Sequence, residues 1–191
     1  MSENRVNART AVWRRHDIAG HEACRVVGVA DGWQMAGVAV LAYEGHACRL
    51  DYVIECDAQW VTRSAVVTGW VGEREIDVRV VRDGEGRWWS NGQECEDVAG
   101  CIDIDLNFSP STNLLPIRRC TLAVGARAEV RAAWLRFPSF ALEALEQSYT
   151  RLAAGEYRYE SGGGRFVAEL TVDADGLVID YGKIWSREVA A

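Results

Sequence analysis

The residues best placed for chemistry lie in the stretch Gly100–Arg119, with the sequence GCIDIDLNFSPSTNLLPIRR. Asp103 and Asp105 are two positions apart, and in a strand this spacing puts both carboxylates on one face, with Cα atoms about 6–7 Å apart. Such a pair could serve as the acid and the base of a glycosidase. Arg118 and Arg119 end the same stretch. An arginine beside an aspartate lowers the pKa of the carboxyl, which is the wrong direction for a general acid.

Three roles therefore stay open for Asp103 and Asp105. They could form an ion-pair lock with Arg118 or Arg119 between a strand and a loop. They could contact a ligand, or they could catalyse a reaction with the help of an arginine. The short distance along the chain favours the lock, because a small loop closes at little entropic cost.

The elements that must position these residues are a strand and a tight loop. One face of the strand carries Ile102, Ile104, Leu106 and Phe108, and the other carries Cys101, Asp103, Asp105 and Asn107. Ser109-Pro110 ends the strand, because proline has no N–H for a ladder. Ser111, Thr112 and Asn113 are turn-forming residues. We interpret the hydroxyl groups as loop caps, since no GxSxG elbow surrounds them.

The rest of the chain predicts one continuous antiparallel meander of about a dozen strands. Alternating runs are separated by turn signals such as Asp31-Gly32, Glu44-Gly45 and Asn91-Gly92. Thr121–Val124 reads as a strand, and Phe140–Leu152 fits a helix or a strand, with the strand preferred. A sheet of this length must curl, close or fold into two layers. We expect one all-β domain over residues 1–191, curled into a half-barrel or open barrel with few short helices.

Eight tryptophans suit either a wide apolar cavity or a thick sheet core. The candidates for lining a cavity are Trp13, Trp33, Trp70, Trp88, Trp89 and Trp134. Alternation alone does not separate the tryptophans of a cavity from those of a packed core. The candidate ligand-binding residues are Trp13, Trp33, Trp70, Trp88, Asp103, Asp105, Asn113, Arg118 and Arg119.

Composition and spacing argue against several classes of function. A net charge of −7 disfavours nucleic acid as a partner, because such binders need a basic face. The six cysteines and three histidines show no CxxC or HxxxH spacing, so we expect no metal site, and no cofactor motif is present. No apolar run could cross a bilayer, and Met1–Thr10 lacks an apolar core. We therefore expect a cytoplasmic protein with reduced, buried cysteines.

The stretch Gly100–Arg119 resembles the hallmark of a family of bacterial proteins of unknown function that is labelled glycolipid-binding. The resemblance continues in Ala128–Ser139, Leu145–Leu152, Tyr157–Ser161 and Asp175–Trp185. It implies a curled half-barrel similar to bacterial lipoprotein carriers, with an open apolar concavity.

The preferred function is non-enzymatic binding of an amphipathic lipid, such as a glycolipid, in that concavity. Arg118 or Arg119 at its mouth would then hold the head group. One alternative is a hydrolase or other small-molecule enzyme that uses Asp103, Asp105 and an arginine. Another is a structural or interaction protein without a ligand. A large pocket would favour binding, and convergent carboxyl groups with raised pKa values inside it would favour an enzyme.

Overall fold

The computed structural model describes residues 8–190, which form fifteen strands in one sheet. The strands are β1 (Arg9–Arg15), β2 (Gly20–Val29), β3 (Gly32–Tyr43), β4 (His46–Asp57), β5 (Thr62–Val71), β6 (Arg74–Arg82), β7 (Trp88–Ser90), β8 (Gln93–Glu94), β9 (Asp103–Leu106), β10 (Arg127–Arg136), β11 (Ala141–Ala153), β12 (Glu156–Ser161), β13 (Phe166–Val172), β14 (Val178–Tyr181) and β15 (Trp185–Ala190). Two 3₁₀ helices span Glu96–Val98 and Pro110–Asn113, and α1 spans Leu114–Cys120.

The expected absence of an export signal rests partly on residues 1–7, which lie outside the described residues.

The sheet consists of two meanders joined through β1 and β15. Strands β1 to β8 follow one another in space on one side, and β15 to β9 follow in reverse order on the other. Neighbouring strands are antiparallel except β9 and β10, which run parallel. The edges are β8 and β9, which do not pair with each other in the described part of the chain. The predicted all-β, mainly antiparallel fold is confirmed, with more strands than the sequence indicated.

Alternation of side chains and local turn chemistry explain these strands. In β4 buried positions alternate with exposed or half-buried ones. The buried residues are Cys48, Leu50, Tyr52, Ile54 and Cys56. Asn91 and Gly92 have φ values of 47° and 82° in the turn between β7 and β8. A two-residue hairpin turn with positive φ at both positions matches the twist of the strands, and Asn-Gly adopts it readily.

Of two strands predicted in less regular stretches, one is present in the structure and the other is not. The preferred strand interpretation of Phe140–Leu152 is confirmed by β11. The strand predicted over Thr121–Val124 is wrong, because this stretch is irregular between α1 and β10. Thr121 ends α1 in a left-handed conformation with φ 42°, which turns the chain away from the extended direction.

Residues Phe108–Ile117, which we call the inner segment, pack on the inner face of the sheet. Every residue of the inner segment is buried. Its side chains form hydrogen bonds with side chains of β2, β4 and β11. Because β2 and β11 lie far apart in the strand order, one segment reaches both only from the inside of a curled sheet. The inner segment therefore occupies part of the predicted concavity.

The inner segment is helical where the sequence predicted a tight loop. The Ser111 N–H donates to Ser109 Oγ at 3.1 Å, which caps the 3₁₀ helix. Pro110 takes the first helical position, where no N–H is needed. Pro116 lies in the first turn of α1, so its missing N–H removes no helical hydrogen bond. Seven residues of α1 are too few to show a helical period in the sequence.

The predicted ion pair joins β9 to the last turn of α1. Arg119 Nε and Nη2 donate to Asp103 Oδ1 and Oδ2 at 3.0 and 2.6 Å. The side chain of Asp103 is 2% exposed and that of Arg119 is 20% exposed. Arg118 instead lies over the ring of Trp60, with its guanidinium carbon 5.5 Å from the centroid. Asp105 has no arginine partner in the described chain, so the predicted pairing holds for Asp103 alone.

Burial changes the pKa expected for Asp103. We expected the arginine to lower it, but loss of solvent raises the pKa of this carboxyl, and Arg119 reduces the rise without reversing it. The pair therefore depends on Arg119, because Asp103 is too buried to be solvated without it.

Breaking this pair should destabilise the fold. We expect Asp103→Asn and Arg119→Ala each to lower the free energy of unfolding by about 3–5 kcal/mol, because each change leaves the partner buried and unpaired. The double variant should lose less than the sum of the two. Urea denaturation followed by circular dichroism measures these losses. Arg118→Ala is the matched control, and a loss as large as that of Arg119→Ala would contradict the assignment.

Candidate functional site

A pocket of about 440 Å³ lies beside the inner segment, where several parts of the chain meet. The end of β1, β9 and the residues after it, β10, β11, the β12–β13 hairpin and the β14–β15 connection all contribute to it. Its aromatic lining residues are Trp134, Tyr159, Phe166, Tyr181 and Trp185. We call it the aromatic pocket. Cavities of this size commonly hold small-molecule ligands.

The aromatic rings are held in place by contacts with one another. The Tyr159 ring lies 5.1 Å from Tyr149, 5.9 Å from Phe166 and 5.8 Å from Tyr181, measured between ring centroids, in edge-to-face arrangements. Such arrangements are favourable because the positive edge of one ring meets the negative face of another. The walls of the aromatic pocket are therefore largely preformed.

A charged pair lines the pocket at the end of β1. Arg15 Nε and Nη2 donate to Asp17 Oδ1 and Oδ2 at 2.7 and 3.0 Å. The guanidinium of Arg15 also lies over the ring of Trp185, 5.3 Å from its centroid. These contacts fix the orientation of Arg15, whose side chain is 12% exposed. The charges of Arg15 and Asp17 largely cancel within the pocket.

Asp105 is the half-buried carboxyl of the pocket and accepts a hydrogen bond from an amide. Gln147 Nε2 donates to Asp105 Oδ2 at 2.6 Å. Burial among the surrounding groups raises the pKa of Asp105 to about 6, and the nearby charge of Asp103 adds to the rise. Asp105 thus changes charge in mildly acidic solution, where an ordinary aspartate is already ionised.

A buried polar network lies under the pocket and ties the inner segment to the sheet. The hydroxyl groups of Tyr52 and Ser109 donate to Glu22 Oε1 at 2.5 and 2.6 Å. Ser111 Oγ lies 2.8 Å from Tyr52 Oη and 2.6 Å from Ser109 Oγ. Glu22 is 1% exposed, and this burial raises its pKa to about 8 although the hydroxyl groups lower it. Glu22 is therefore mainly a neutral carboxylic acid at neutral pH.

The arrangement favours binding of a molecule that has both flat apolar faces and polar edges. Aromatic faces and hydroxyl, amide and charged groups converge on one space. Asp103, the proposed partner of Asp105 in a carboxylate pair, does not line this space. In residues 8–190 no group of three or more His, Cys, Asp and Glu side chains is placed to hold a metal ion. No helix in this range has the length and apolar character needed to cross a bilayer.

Comparison with known proteins identifies the family. Residues 10–187 match the family described as "Putative glycolipid-binding". The chain belongs to this glycolipid-binding family. The resemblance seen in the sequence motifs is thereby confirmed.

Solved structures support the same family and fold. A crystal structure of a DUF1089 family protein from Pseudomonas aeruginosa is 38% identical, with a TM-score of 0.79, covering 87% of this chain and 90% of that chain. A β-barrel-like protein of the domain of unknown function DUF1849 from Brucella abortus is 11% identical, with a TM-score of 0.57, covering 98% of this chain and 97% of that chain. The second likeness concerns the fold alone. No curated protein gives a significant match.

The aromatic pocket of this glycolipid-binding family member contains two of the nine residues proposed from the sequence, Asp105 and Asn113. The indoles of Trp13 and Trp88 lie in the core and donate to the carbonyl oxygens of Val178 and Cys101 at 2.8 and 2.9 Å. Their positions are those of packed core residues.

The remaining proposed residues lie elsewhere on the curled sheet. Trp33 stacks on Trp60 with centroids 4.6 Å apart, and Trp70 is half-buried on β5. Arg118 lines a separate cavity of about 560 Å³. Arg119 is engaged by Asp103.

Several residues of the pocket and of the buried polar network beside it were missed, and some of them left a signal in the sequence. Glu22 alternates with Cys24 and Val26 in β2, so it shares their inward face, and this parity was available. Arg15 shares the face of Trp13 for the same reason. Leu145 and Trp185 come from β11 and β15, which are far apart in sequence, and no local pattern indicates that they line the same pocket.

Replacing Glu22 should remove a pH dependence of stability. The pKa of Glu22 is about 8 in the folded protein, against 4.5 as its ordinary value. Between these values the folded state holds one proton more than the unfolded state, so stability falls as pH rises through this window. The shift corresponds to about 5 kcal/mol over the whole window.

Urea denaturation of the wild type and of Glu22→Gln, from about pH 5 to about pH 9, tests this linkage. The stability of the variant relative to the wild type should improve steadily up to about pH 8. The titration of Asp105 changes the stability of both proteins equally, so it cancels in the difference between them. The exposed change Glu75→Gln is the control, and parallel stability curves for wild type and Glu22→Gln would show that Glu22 is not neutral in the folded state.

Proposed function

We propose that this protein binds an amphipathic glycolipid without catalysing its conversion, with the sugar head group in the aromatic pocket. The observation that carries the proposal is the convergence of five aromatic rings with charged, amide and hydroxyl groups in one pocket. The faces of a sugar ring pack on aromatic side chains, while its hydroxyl groups need polar partners. Membership of the family supports the same ligand class.

The apolar part of the ligand has a path at the pocket rim. Leu145, Phe166 and Ile184 line the pocket, and Phe166 is 37% exposed. Because the inner segment occupies part of the concavity, the acyl chains would lie along this rim rather than fill the whole concavity. This differs from the wide apolar concavity expected from the sequence.

Placement of the carboxyl groups favours binding over hydrolysis. A glycosidase needs two carboxyl groups that face the same bond. Asp105 faces the pocket, but Asp103 is held by both nitrogen donors of Arg119 outside it. The second carboxyl of the lining, Asp17, is engaged by Nε and Nη2 of Arg15. The contribution proposed for Arg118 and Arg119 to the head group therefore gives way to the groups that line the aromatic pocket.

Two sequence-based expectations belong to this proposal and stay predictions. One is a single domain over residues 1–191, and the other is a cytoplasmic location. Fractionation of the source cells, with detection by antibody, would test the location.

Calorimetric titration with octyl β-glucoside and octyl β-galactoside, below their micelle-forming concentrations, tests the proposal. We expect saturable binding of at least one glycoside and about tenfold weaker binding by Trp134→Ala, because loss of stacking on an aromatic face costs about 1–3 kcal/mol. Trp70→Ala is the matched control, since Trp70 is half-buried on the sheet and does not line the pocket. Equal weakening by both variants, or no binding of either glycoside, would reject the proposal.

A further inference from the structure

A second cavity, of about 560 Å³, lies at the opposite end of the strands from the aromatic pocket. Strand β11 contributes to both spaces, with Leu145 in the aromatic pocket and Arg151 in the second cavity. The stretch of strand between these two residues spans roughly 20 Å. The inner segment runs from one space to the other, since Asn113 lines the pocket and Ile117 lines the cavity. We call the second space the arginine cavity, because Arg118 and Arg151 both line it.

The guanidinium of Arg118 is held in place, yet its hydrogen-bond donors are free. It lies over the Trp60 ring, 5.5 Å from the centroid, and Trp60 is in turn stacked on Trp33. Contact with an aromatic face uses the flat side of a guanidinium and leaves the N–H groups in its plane available. In the part of the chain that the structure describes, Arg118 has no hydrogen bond or ion pair, and the fully enclosed side-chain atoms without a partner belong to Arg15 and Glu22 alone. The donors of Arg118 are therefore accessible.

Arg151 is oriented by backbone groups next to the cavity. Its Nη1 donates to the carbonyl oxygen of Leu122 at 2.7 Å, and its Nε donates to that of Ala153 at 3.3 Å. The guanidinium lies over the Tyr157 ring, 5.9 Å from the centroid. Nη2 is the nitrogen that these bonds leave without a partner, and it is not enclosed by the protein. Arg151 thus presents a fixed charge with donors to spare.

The two positive charges of the arginine cavity have no negative partner. Among residues 8–190 no carboxylate lies within ion-pair distance of Arg118 or Arg151. Asp173 is the acidic residue of the lining, and its oxygens are already bonded. Oδ1 accepts two backbone N–H groups of its own turn, and Oδ2 accepts from Arg187 Nη1 at 2.6 Å. A protein of net charge −7 therefore has a locally positive cavity, which favours an anion.

Two residues beside Arg118 have backbone conformations that side chains of their type rarely adopt. Thr121, which lines the cavity, has φ 42°, and Trp60, whose ring lies under the guanidinium, has φ 67°. Positive φ is unfavourable for a β-branched or bulky residue, and it persists where the surrounding structure enforces it, frequently at ligand-binding sites. The backbone at this end of the sheet therefore supports a binding site as well.

We propose that the arginine cavity is a second binding site, which holds a phosphate group through Arg118 and Arg151. The oxygens of a phosphate accept several charge-assisted hydrogen bonds, so one phosphate can bridge two guanidinium groups. The exposed hydroxyl of Thr121 adds a neutral donor at the edge of the cavity. This site is separate from the aromatic pocket and does not depend on the function proposed for it. The phosphate belongs either to a lipid head group or to a soluble phosphate ester.

Calorimetric titration with inorganic phosphate, glycerol 3-phosphate and acetate tests the site. The measurement is made at about pH 7.5, where a phosphate monoester is mainly a dianion, and at constant ionic strength, because salt screens the interaction. Arg118→Gln and Arg151→Gln each remove one charge from the cavity. Arg25→Gln removes the same charge from an exposed position of β2 and is the matched control. Circular dichroism and thermal unfolding show whether each variant is folded.

We expect Arg118→Gln and Arg151→Gln each to weaken binding of inorganic phosphate and glycerol 3-phosphate about tenfold or more, because each removes charge-assisted hydrogen bonds. Arg25→Gln should bind as the wild type does, and acetate should bind more weakly than phosphate. No binding of phosphate by the wild type, or equal affinity in wild type and both cavity variants, would overturn the site. An equal loss in Arg25→Gln would reduce it to the overall charge of the protein. Acetate binding as tight as that of phosphate would overturn the phosphate assignment.

Flotation with vesicles distinguishes the two sources of the phosphate. Vesicles of phosphatidylcholine with phosphatidic acid are compared with vesicles of phosphatidylcholine alone. Association that requires phosphatidic acid, and that Arg118→Gln weakens but Arg25→Gln does not, assigns the site to a lipid head group. Binding of glycerol 3-phosphate without association with either kind of vesicle assigns it to a soluble ester.

Arg151→Gln also removes the hydrogen bonds to Leu122 and Ala153, and this variant can fail to fold for that reason. Arg118→Gln then decides the outcome, because Arg118 bonds no other group in the described chain. A folded Arg118→Gln protein with unchanged affinity for phosphate would overturn the proposal by itself.

Discussion

A curled sheet of fifteen strands has an inner face that must be covered, and the hydrogen bonds of Ser109 with Glu22 and of Ser111 with Tyr52 fix how the inner segment does this. The inner segment crosses from β2 and β4 to β11, and so it links the two meanders from within. Apolar packing of Leu114, Leu115 and Phe108 supplies the bulk of the burial. The polar network determines which part of the segment lies under which strand.

The site follows from this arrangement. The inner segment fills one part of the concavity, and the space that is left beside it becomes a pocket of moderate size with mixed polarity. Ser109 and Asn113 belong to both the segment and the pocket wall. A buried carboxyl that is neutral at ordinary pH is compatible with such a core, because it satisfies hydroxyl donors without carrying a charge into a region of low polarity. Fold and site thus share the same residues.

The extent to which the sequence predicts this structure depends on whether the information is local. Hairpins such as Asn91-Gly92 and alternating strands such as β4 are specified by neighbouring residues, and they were predicted correctly. The Asp103–Arg119 pair was predicted because both residues belong to one short stretch.

The aromatic pocket could not be predicted in the same way. It joins β1, β9, β12 and β14, and the contacts among these strands depend on how the whole sheet curls. Of the six tryptophans considered for a cavity, Trp134 lines the aromatic pocket, whereas Trp13 and Trp88 use their indole N–H groups to bond backbone carbonyls in the core.

The pairing of β1 with β15 places strands from opposite ends of the described chain side by side in the middle of the sheet. This contact spans almost the greatest sequence separation possible, and high contact order slows folding because the intervening chain must be ordered first. During synthesis, β1 and β2 emerge early, and the pairing edge of β1 remains open until β15 leaves the ribosome. An open strand edge invites pairing with other chains. The nascent protein therefore has a long interval of exposure to aggregation, in which dependence on chaperones would be greatest.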